Sequence, residues 1–158
     1  MTLPNKKGFH EISLEDNLSW LFEMDCEIFN NPPVIFPFDN EKELYKYLMQ
    51  DHNTRTFILN NDLGEIVGYF SFEESIDAPN MFELINIGVR PQFQGQGFAR
   101  NMIDHYHDLI KDKNSRLVTH PENKSSRKLY EKNGYIPVKI IHNYFGDGED
   151  RVLYIRLI

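Results

Sequence analysis

The chain switches repeatedly between two hydrophobic periods, and the switches mark its elements. Phe9 to Leu14 reads as a short strand, and Ser13-Leu14-Glu15-Asp16 opens a run in which Leu18, Leu21, Phe22 and Ile28 recur at helical spacing. The prolines of NNPPVIFPFDN forbid a continuing helix and predict a loop. Asp39-Asn40 then caps a predicted second helix, Glu41 to Gln50, with Leu44, Tyr47 and Leu48 on its apolar side. Thr54 to Leu59 and Ile66 to Phe72 predict two strands, joined into a hairpin by Asn60-Asn61-Asp62-Leu63-Gly64. Met81 to Val89 predicts a third, stopped by Arg90-Pro91.

The longest clean helical period runs from Gly97 to Lys111, with Phe98, Met102, Ile103, Tyr106, Leu109 and Ile110 on one face. A short strand follows at Arg116 to Thr119, and Asn123 caps a helix from Lys124 to Lys132 that Asn133-Gly134 stops. Two last strands, Ile136 to Tyr144 and Arg151 to Leu157, flank the turn-rich Gly146-Asp147-Gly148-Glu149-Asp150. The order is β-α-α-β-β-β-α-β-α-β-β, an α/β or α+β sandwich with mixed strand directions, and residues 1–158 read as a single domain.

Composition narrows the class. At 158 residues, 41% apolar and 26% charged, the chain can bury a core without disulfides or metal. Cys26 is the single cysteine, so neither an internal disulfide nor a paired-cysteine zinc site can form, and a small buried apolar residue is its expected role. No apolar run reaches membrane-spanning length, and MTLPNKKGFHEI lacks the apolar stretch of a signal peptide, so a reducing cytoplasm is the simplest expectation. A net charge of −7 opposes binding to phosphate backbones, which argues against nucleic acid as a partner. His105 and His107 lie two apart on a helix, on nearly opposite faces, so neither suggests a metal ligand.

Two glycines stand where the third strand ends and the long helix begins, in VRPQFQGQGFAR. Gly95 and Gly97 let the chain turn tightly and bring main-chain N–H groups to a helix mouth, an anion-binding geometry. No Gly-Lys-Ser/Thr follows, and Arg100 stands where a dinucleotide motif needs its third small residue, so a phosphate-binding loop for ATP or NAD is disfavoured. Gln94-Gly95-Gln96-Gly97-Phe98-Ala99 instead resembles the Gln/Arg-x-x-Gly-x-Gly/Ala signature of the GNAT family of N-acetyltransferases. Asn123, Leu129-Tyr130, Gly134 and Tyr135 resemble that family's second signature, in the right order and separation. Leu84 to Pro91 resembles the strand before the first signature. Asn143 to Asp150 is similar to a segment common in protein N-terminal acetyltransferases, the ribosomal-protein alanine acetyltransferases among them.

The resemblance implies a mixed sheet of about seven strands flanked by about four helices, and an acetyl group carried from acetyl-CoA to a primary amine by direct attack in a ternary complex. It implies that Gln94, Gly95, Gln96, Gly97, Phe98 and Ala99 hold the pyrophosphate, with Arg100, Arg127 or Lys128 adding charge near the adenosine phosphates. The pantetheine arm would pair with backbone at Ile87 and Val89, Gly88 permitting a bulge, and Asn123 would serve either as helix cap or as pantetheine contact. Tyr130 falls on the general-acid position; a phenol of pKa about 10 stays protonated at neutral pH.

For the base, Glu83 resembles the catalytic glutamate of lysine-acetylating members, and strand alternation places it on the face of Ile85, Ile87 and Val89. Val118 stands where some N-terminal acetyltransferases carry a Glu or His, which leaves His120 as a second candidate. The acceptor stays open between a peptide N-terminus or lysine and a small amine such as a polyamine or antibiotic. Glu73-Glu74 and the acidic total favour cations, whereas Tyr144 and its segment favour peptides. A non-catalytic acyl-CoA-binding module is the remaining alternative. No metal is implied, and the assembly is expected to be a monomer or a homodimer, with pairing through the final strand if that strand lies at an edge.

Overall fold

The computed structural model describes residues 8–31, 34–35, 37–48 and 53–158. The elements in chain order are β1 (Gly8–Ile12), α1 (Leu14–Ile28), β2 (Asn30–Asn31), β3 (Val34–Ile35), α2 (Glu41–Leu48), β4 (Arg55–Asn60), β5 (Ile66–Glu74) and β6 (Met81–Val89). A 3-10 turn (Pro91–Phe93), α3 (Phe98–Leu109), β7 (Asn114–Thr119), α4 (Lys124–Lys132), β8 (Ile136–Ile141) and β9 (Arg151–Arg156) follow. Caps account for the helix starts: Ser13 accepts the Asp16 N–H, and Asn123 accepts that of Ser126.

Two expectations shift at the ends of elements. Inside NNPPVIFPFDN the chain forms a small antiparallel pair, β2 with β3, where a loop was expected; Asn31 precedes a proline, which biases it to extended backbone. The strand expected to reach Tyr144 stops at Ile141, because Asn143 takes a left-handed φ of 56°. The last two residues of the second predicted helix, Met49 and Gln50, lie outside the described residues.

Seven strands make one sheet in the order β1-β4-β5-β6-β7-β9-β8, antiparallel at every step but one. Helices cover both faces, which is why β5 is buried from Val67 to Glu73 rather than alternating. On one face Met102, Ile103 and Tyr106 of α3 and Tyr130 of α4 pack on Phe57, Phe70, Phe72 and Leu84. On the other, Leu14, Leu21 and Met24 of α1 and Leu44 and Leu48 of α2 pack on Ile58 and Tyr69. The edge strands are β1 and β8; the final strand β9 lies between β7 and β8, so the expected route to dimerisation through it is closed.

The exceptional step positions the site. Strands β6 and β7 pair in parallel only over Met81–Glu83 and Asn114–Arg116. Beyond those residues they diverge, and a wedge opens in the sheet. A bulge at Ile85, opposite the Ser71/Phe72 step of β5, reverses the facing of β6 at this point. Ile85 packs on the α1 and α2 side, while Leu84, Ile87 and Val89 pack on the α3 and α4 side. Unbroken alternation from Glu83 through Val89 is therefore corrected, because the extra residue changes the face. Among the described residues no helix is long and apolar enough to cross a membrane.

Candidate active site

Two cavities fill the wedge and its mouth. A groove of about 700 Å³ runs over Ile87–Val89, the Gln94–Arg100 loop and the first turns of α4, with Ile28 and Phe29 of the α1 end as its far wall. A smaller pocket of about 100 Å³ lies between Leu84–Ile87 and Leu117–His120. The two share Phe29, Ile87, Asn123, Ser126 and Tyr130, so they meet at the side chain of Tyr130.

The groove presents main-chain donors. Arg90 N–H bonds the Val67 carbonyl at 2.8 Å, toward β5, so by alternation Val89 and Ile87 direct their main-chain groups into the wedge. Gln94 donates its side-chain amide to the Val89 carbonyl at 2.9 Å, which leaves the Val89 N–H and both groups of Ile87 facing the opening. Gly88 makes no bulge; it pairs regularly with Tyr69, and a Cβ there would stand 2.9 Å from Ile28 Cδ1. Its glycine lets the end of α1 close against β6.

At the helix mouth Gly95 and Gly97 have φ of 79° and 88°, left-handed values that explain both glycines. A Cβ at either would meet nothing within 4 Å, so the space beside them is open. No side chain caps α3, and its first main-chain bond, Asn101 N–H to Gly97 O at 3.1 Å, leaves the N–H groups of Phe98, Ala99 and Arg100 ahead of it. That is a cradle for an anion.

The expected cations divide. Arg100 lines the groove, its side chain 73% exposed and 4.0 Å from Asp104. Arg127 does not: its Nε donates to the Tyr154 hydroxyl at 2.9 Å and its Nη1 to the Pro121 carbonyl at 3.1 Å, which turns it into a brace between α4 and β9. Lys128 lies outside the groove and Lys124 takes the position instead. Gln96 is exposed and not part of the wall. Asn123 escapes the choice between two roles, because its Oδ1 caps Ser126 N–H at 3.2 Å while Nδ2 has no protein partner among the described residues and the residue lines both cavities.

Tyr130 is 6% exposed. Burial first, then the neighbouring Tyr135, raises its pKa well above the ordinary phenol value, and a hydrogen bond from Ser126 offsets part of that. The phenol therefore keeps its proton throughout the physiological range.

The smaller pocket is walled by Phe38, Tyr47 and Phe145, whose rings contact one another at 5.1 to 5.5 Å between centroids. Arg151 stacks over Phe145 at 4.7 Å and spends its charge on Glu149 at 3.1 Å. Tyr144 is not part of this wall; Tyr47 bonds its hydroxyl from behind, and Phe145 faces the pocket in its place. Among the described residues no Asp or Glu lines the pocket.

Neither expected base projects freely into it. Glu83 sits at the closed end of the wedge, 3.5 Å from Arg116, and lines neither cavity. His120 lines the pocket just past the end of β7, and its Nδ1 accepts the Glu122 N–H at 3.0 Å, so in the neutral ring the hydrogen is on Nε2. Burial and Arg151 push its pKa down, which keeps the ring neutral. Cys26 is exposed, contrary to its expected burial, because it falls on the outer side of α1 next to the buried Asp25. Among the described residues no cluster of three His, Cys, Asp or Glu is arranged to hold a metal.

The sequence reading missed Phe38, Tyr47, Phe145, Asn86 and Lys124 as wall residues. Lys124 was recoverable from its position beside the Asn123 cap. The aromatic trio was not, since its members come from a loop, α2 and the β8–β9 connection.

A groove lined with main-chain donors that meets a second, smaller pocket at Tyr130 is a layout suited to group transfer from an extended, phosphate-bearing carrier. Residues 18–135 match the acetyltransferase (GNAT) family, and the chain belongs to that family. It is 24% identical over 155 residues to a Bacillus subtilis protein assigned as a ribosomal protein bS18-alanine N-acetyltransferase, covering 96% of this chain and 95% of that one. The crystal structure of the Escherichia coli ribosomal-protein-S18-alanine N-acetyltransferase superposes with a TM-score of 0.71 at 21% identity, covering 94% and 91% of the two chains. A chimeric spermidine N-acetyltransferase from Vibrio cholerae also superposes at 0.71 and 21%, covering 96% of each. Equal likeness to enzymes named for such different acceptors means that the fold does not choose between them.

Proposed function

We propose that this acetyltransferase carries the acetyl group of acetyl-CoA to the α-amine of a peptide N-terminus. The observation that carries the reading is the meeting of the donor-lined groove and the smaller pocket at Tyr130. Free N–H groups of Phe98 to Arg100 receive the pyrophosphate, Arg100 and Lys124 add positive charge, and Ile87 and Val89 hydrogen-bond the pantetheine amides as a neighbouring strand would. The neutral acceptor amine attacks the thioester carbon from the pocket, the C–N bond forms as C–S breaks, the proton shed by the nitrogen passes to water, and Tyr130 donates its proton to the departing thiolate and regains one from solvent.

Two features favour an α-amine over lysine or a polyamine. Among the described residues the pocket wall carries no carboxylate to hold a second ammonium group. Glu83 lines neither cavity and His120 commits its Nδ1 lone pair to the Glu122 N–H, so the acceptor reaches its neutral form with the help of water. An α-amine of pKa about 8 does so far more readily than an alkylamine of about 10.4. A cytoplasmic location, without a nucleic-acid or membrane partner, goes with the same reading.

The test is acetyl transfer across free-N-terminal peptides, their N-acetylated lysine-containing counterparts, spermidine and an aminoglycoside. Expected is turnover confined to, or at least tenfold higher in kcat/KM for, the free N-termini. Preferential acetylation of spermidine would overturn the acceptor assignment, and acetyl-CoA binding without turnover on any amine would favour the non-catalytic module.

A further inference from the structure

Behind the acceptor pocket lies a buried polar group that the transfer steps above leave unused. Asp25 of α1 is fully buried. Tyr69 of β5 donates its hydroxyl to Asp25 Oδ2, and Asn86 of β6 donates to the same oxygen at 3.1 Å and to the Tyr69 hydroxyl at 2.7 Å. A carboxamide has two N–H hydrogens, and here both are committed. The opposite orientation would set the amide oxygen against two oxygens, so the end of the side chain left over is Oδ1.

Asn86 is also part of the acceptor-pocket wall, beside Ile87 and across the wedge from Leu117–Thr119. Its Oδ1 has no protein donor among the described residues, yet it is not one of the buried polar atoms sealed off from solvent. The opening available to it is the pocket. A polar trio in an otherwise apolar layer is expensive to bury, and Asp25 Oδ1 remains without a hydrogen-bond partner. Apolar replacements of the same volume are commonly neutral or stabilising, so packing alone gives no reason to keep the trio.

We propose that Asn86 positions the acceptor: its Oδ1 takes a hydrogen bond from the attacking amine, while Asp25 and Tyr69 hold the carboxamide at the required angle. The inference rests on the acetyl-transfer reading and adds to it the contact that orients the nucleophile. An amine nitrogen is tetrahedral, so fixing one N–H on Asn86 directs its lone pair elsewhere, toward the thioester beside Tyr130. A neutral amide suits this task better than a carboxylate, which would favour the ammonium form and withhold the lone pair.

The test separates the acceptor side from the carrier side, using an alanine-initiated peptide amide as acceptor. Asn86→Ala is expected to lower kcat/KM for the peptide roughly tenfold, the effect of one lost hydrogen bond, with the acetyl-CoA Kd from calorimetry within about twofold of wild type. Tyr69→Phe keeps the ring but frees one Asn86 N–H, and it is expected to cost the peptide about threefold, again without change for acetyl-CoA. It decides the matter if Asn86→Ala fails to fold by thermal melt. Unchanged peptide kcat/KM in the folded variants, or parallel losses in acetyl-CoA affinity, would overturn the proposal while the function reading stands. A wild type that transfers to no amine would overturn both.

Discussion

The side-chain amide of Gln94 donates to the main-chain carbonyl of Val89 at 2.9 Å, tying the glycine loop to the open edge of β6. Two sets of main-chain donors, one on the strand and one at the mouth of α3, are thereby held as a single surface. The 3-10 turn between them, with Phe93 N–H bonded to the Arg90 carbonyl at 2.9 Å, adds to that tie.

Loss of that surface is the first expected outcome. Gly97→Ala places a Cβ on a residue at φ 88°, which costs about 1–2 kcal/mol in the left-handed region. A loop that relaxes this strain moves the donors, so KM for acetyl-CoA should rise by roughly tenfold or more. Gln94→Ala should raise it less, about threefold to tenfold, because only the tether is removed. Steady-state kinetics at saturating acceptor measure both; unchanged KM values would show that the carrier lies elsewhere.

Tyr130→Phe keeps the buried ring and removes the hydroxyl that Ser126 bonds. Lost general-acid help corresponds to a fall in kcat of about 10²-fold or more. The acetyl-CoA Kd should stay within about twofold and the melting temperature within a few degrees, since one net hydrogen bond is worth about 1 kcal/mol. Single-turnover rates resolve the chemical step from product release.

Asp25 and His107 act on stability with opposite signs. Burial pushes the Asp25 carboxyl up to about 7, against hydrogen bonds from Tyr69 and Asn86 that pull the other way. Between its ordinary pKa and about 7 the unfolded chain releases a proton that the folded chain keeps, so stability falls as pH rises through this window. His107, buried and facing Arg156, is pushed down to about 4, and its ring nitrogen bonds Tyr135 at 2.9 Å. From its ordinary value down to about 4 the unfolded chain takes up a proton that the folded chain refuses, so stability falls as pH drops. Asp25→Asn should therefore melt near the wild type at pH 4 and progressively above it toward pH 8. Thermal melts across that range check the slope, and a gain equal at every pH would contradict it.

Gly88→Ala tests the closure of the groove from the α1 side. The new Cβ would stand 2.9 Å from Ile28 Cδ1 and 3.2 Å from its Cγ2, so the last turn of α1 must shift. Overpacking of this kind costs about 1–3 kcal/mol. Ile28 and Phe29 wall the groove, so acetyl-CoA affinity should fall along with stability. Calorimetric titration of the folded variant measures the first and denaturant unfolding the second.

Much of this was readable residue by residue. Ser13, Asn123 and the Asn133-Gly134 pair act through bonds or φ values within a few positions, so the helix limits followed from local chemistry. The glycine loop was legible for the same reason, since left-handed φ at Gly95 and Gly97 is a property of those residues alone. The facing of Glu83 was not, because the bulge at Ile85 depends on pairing with β5, a strand some fifteen residues away by rough count. Arg127 likewise looked like a phosphate ligand until Tyr154, from the last strand, claimed its guanidinium.

Amino-acid order alone was thus enough to establish the alternation of strands and helices, the glycine turn at the mouth of α3 and the phenol that follows it, since each depends on short-range backbone preferences and spacing. The smaller pocket was set by packing across the wedge. Phe38, Tyr47, Asn86 and Phe145 come from four separate segments, and they form one wall only because β6 and β7 part company after three paired residues. A contact between distant segments leaves no periodic trace along the chain, and so the pocket beside Tyr130 became visible only once the sheet was assembled.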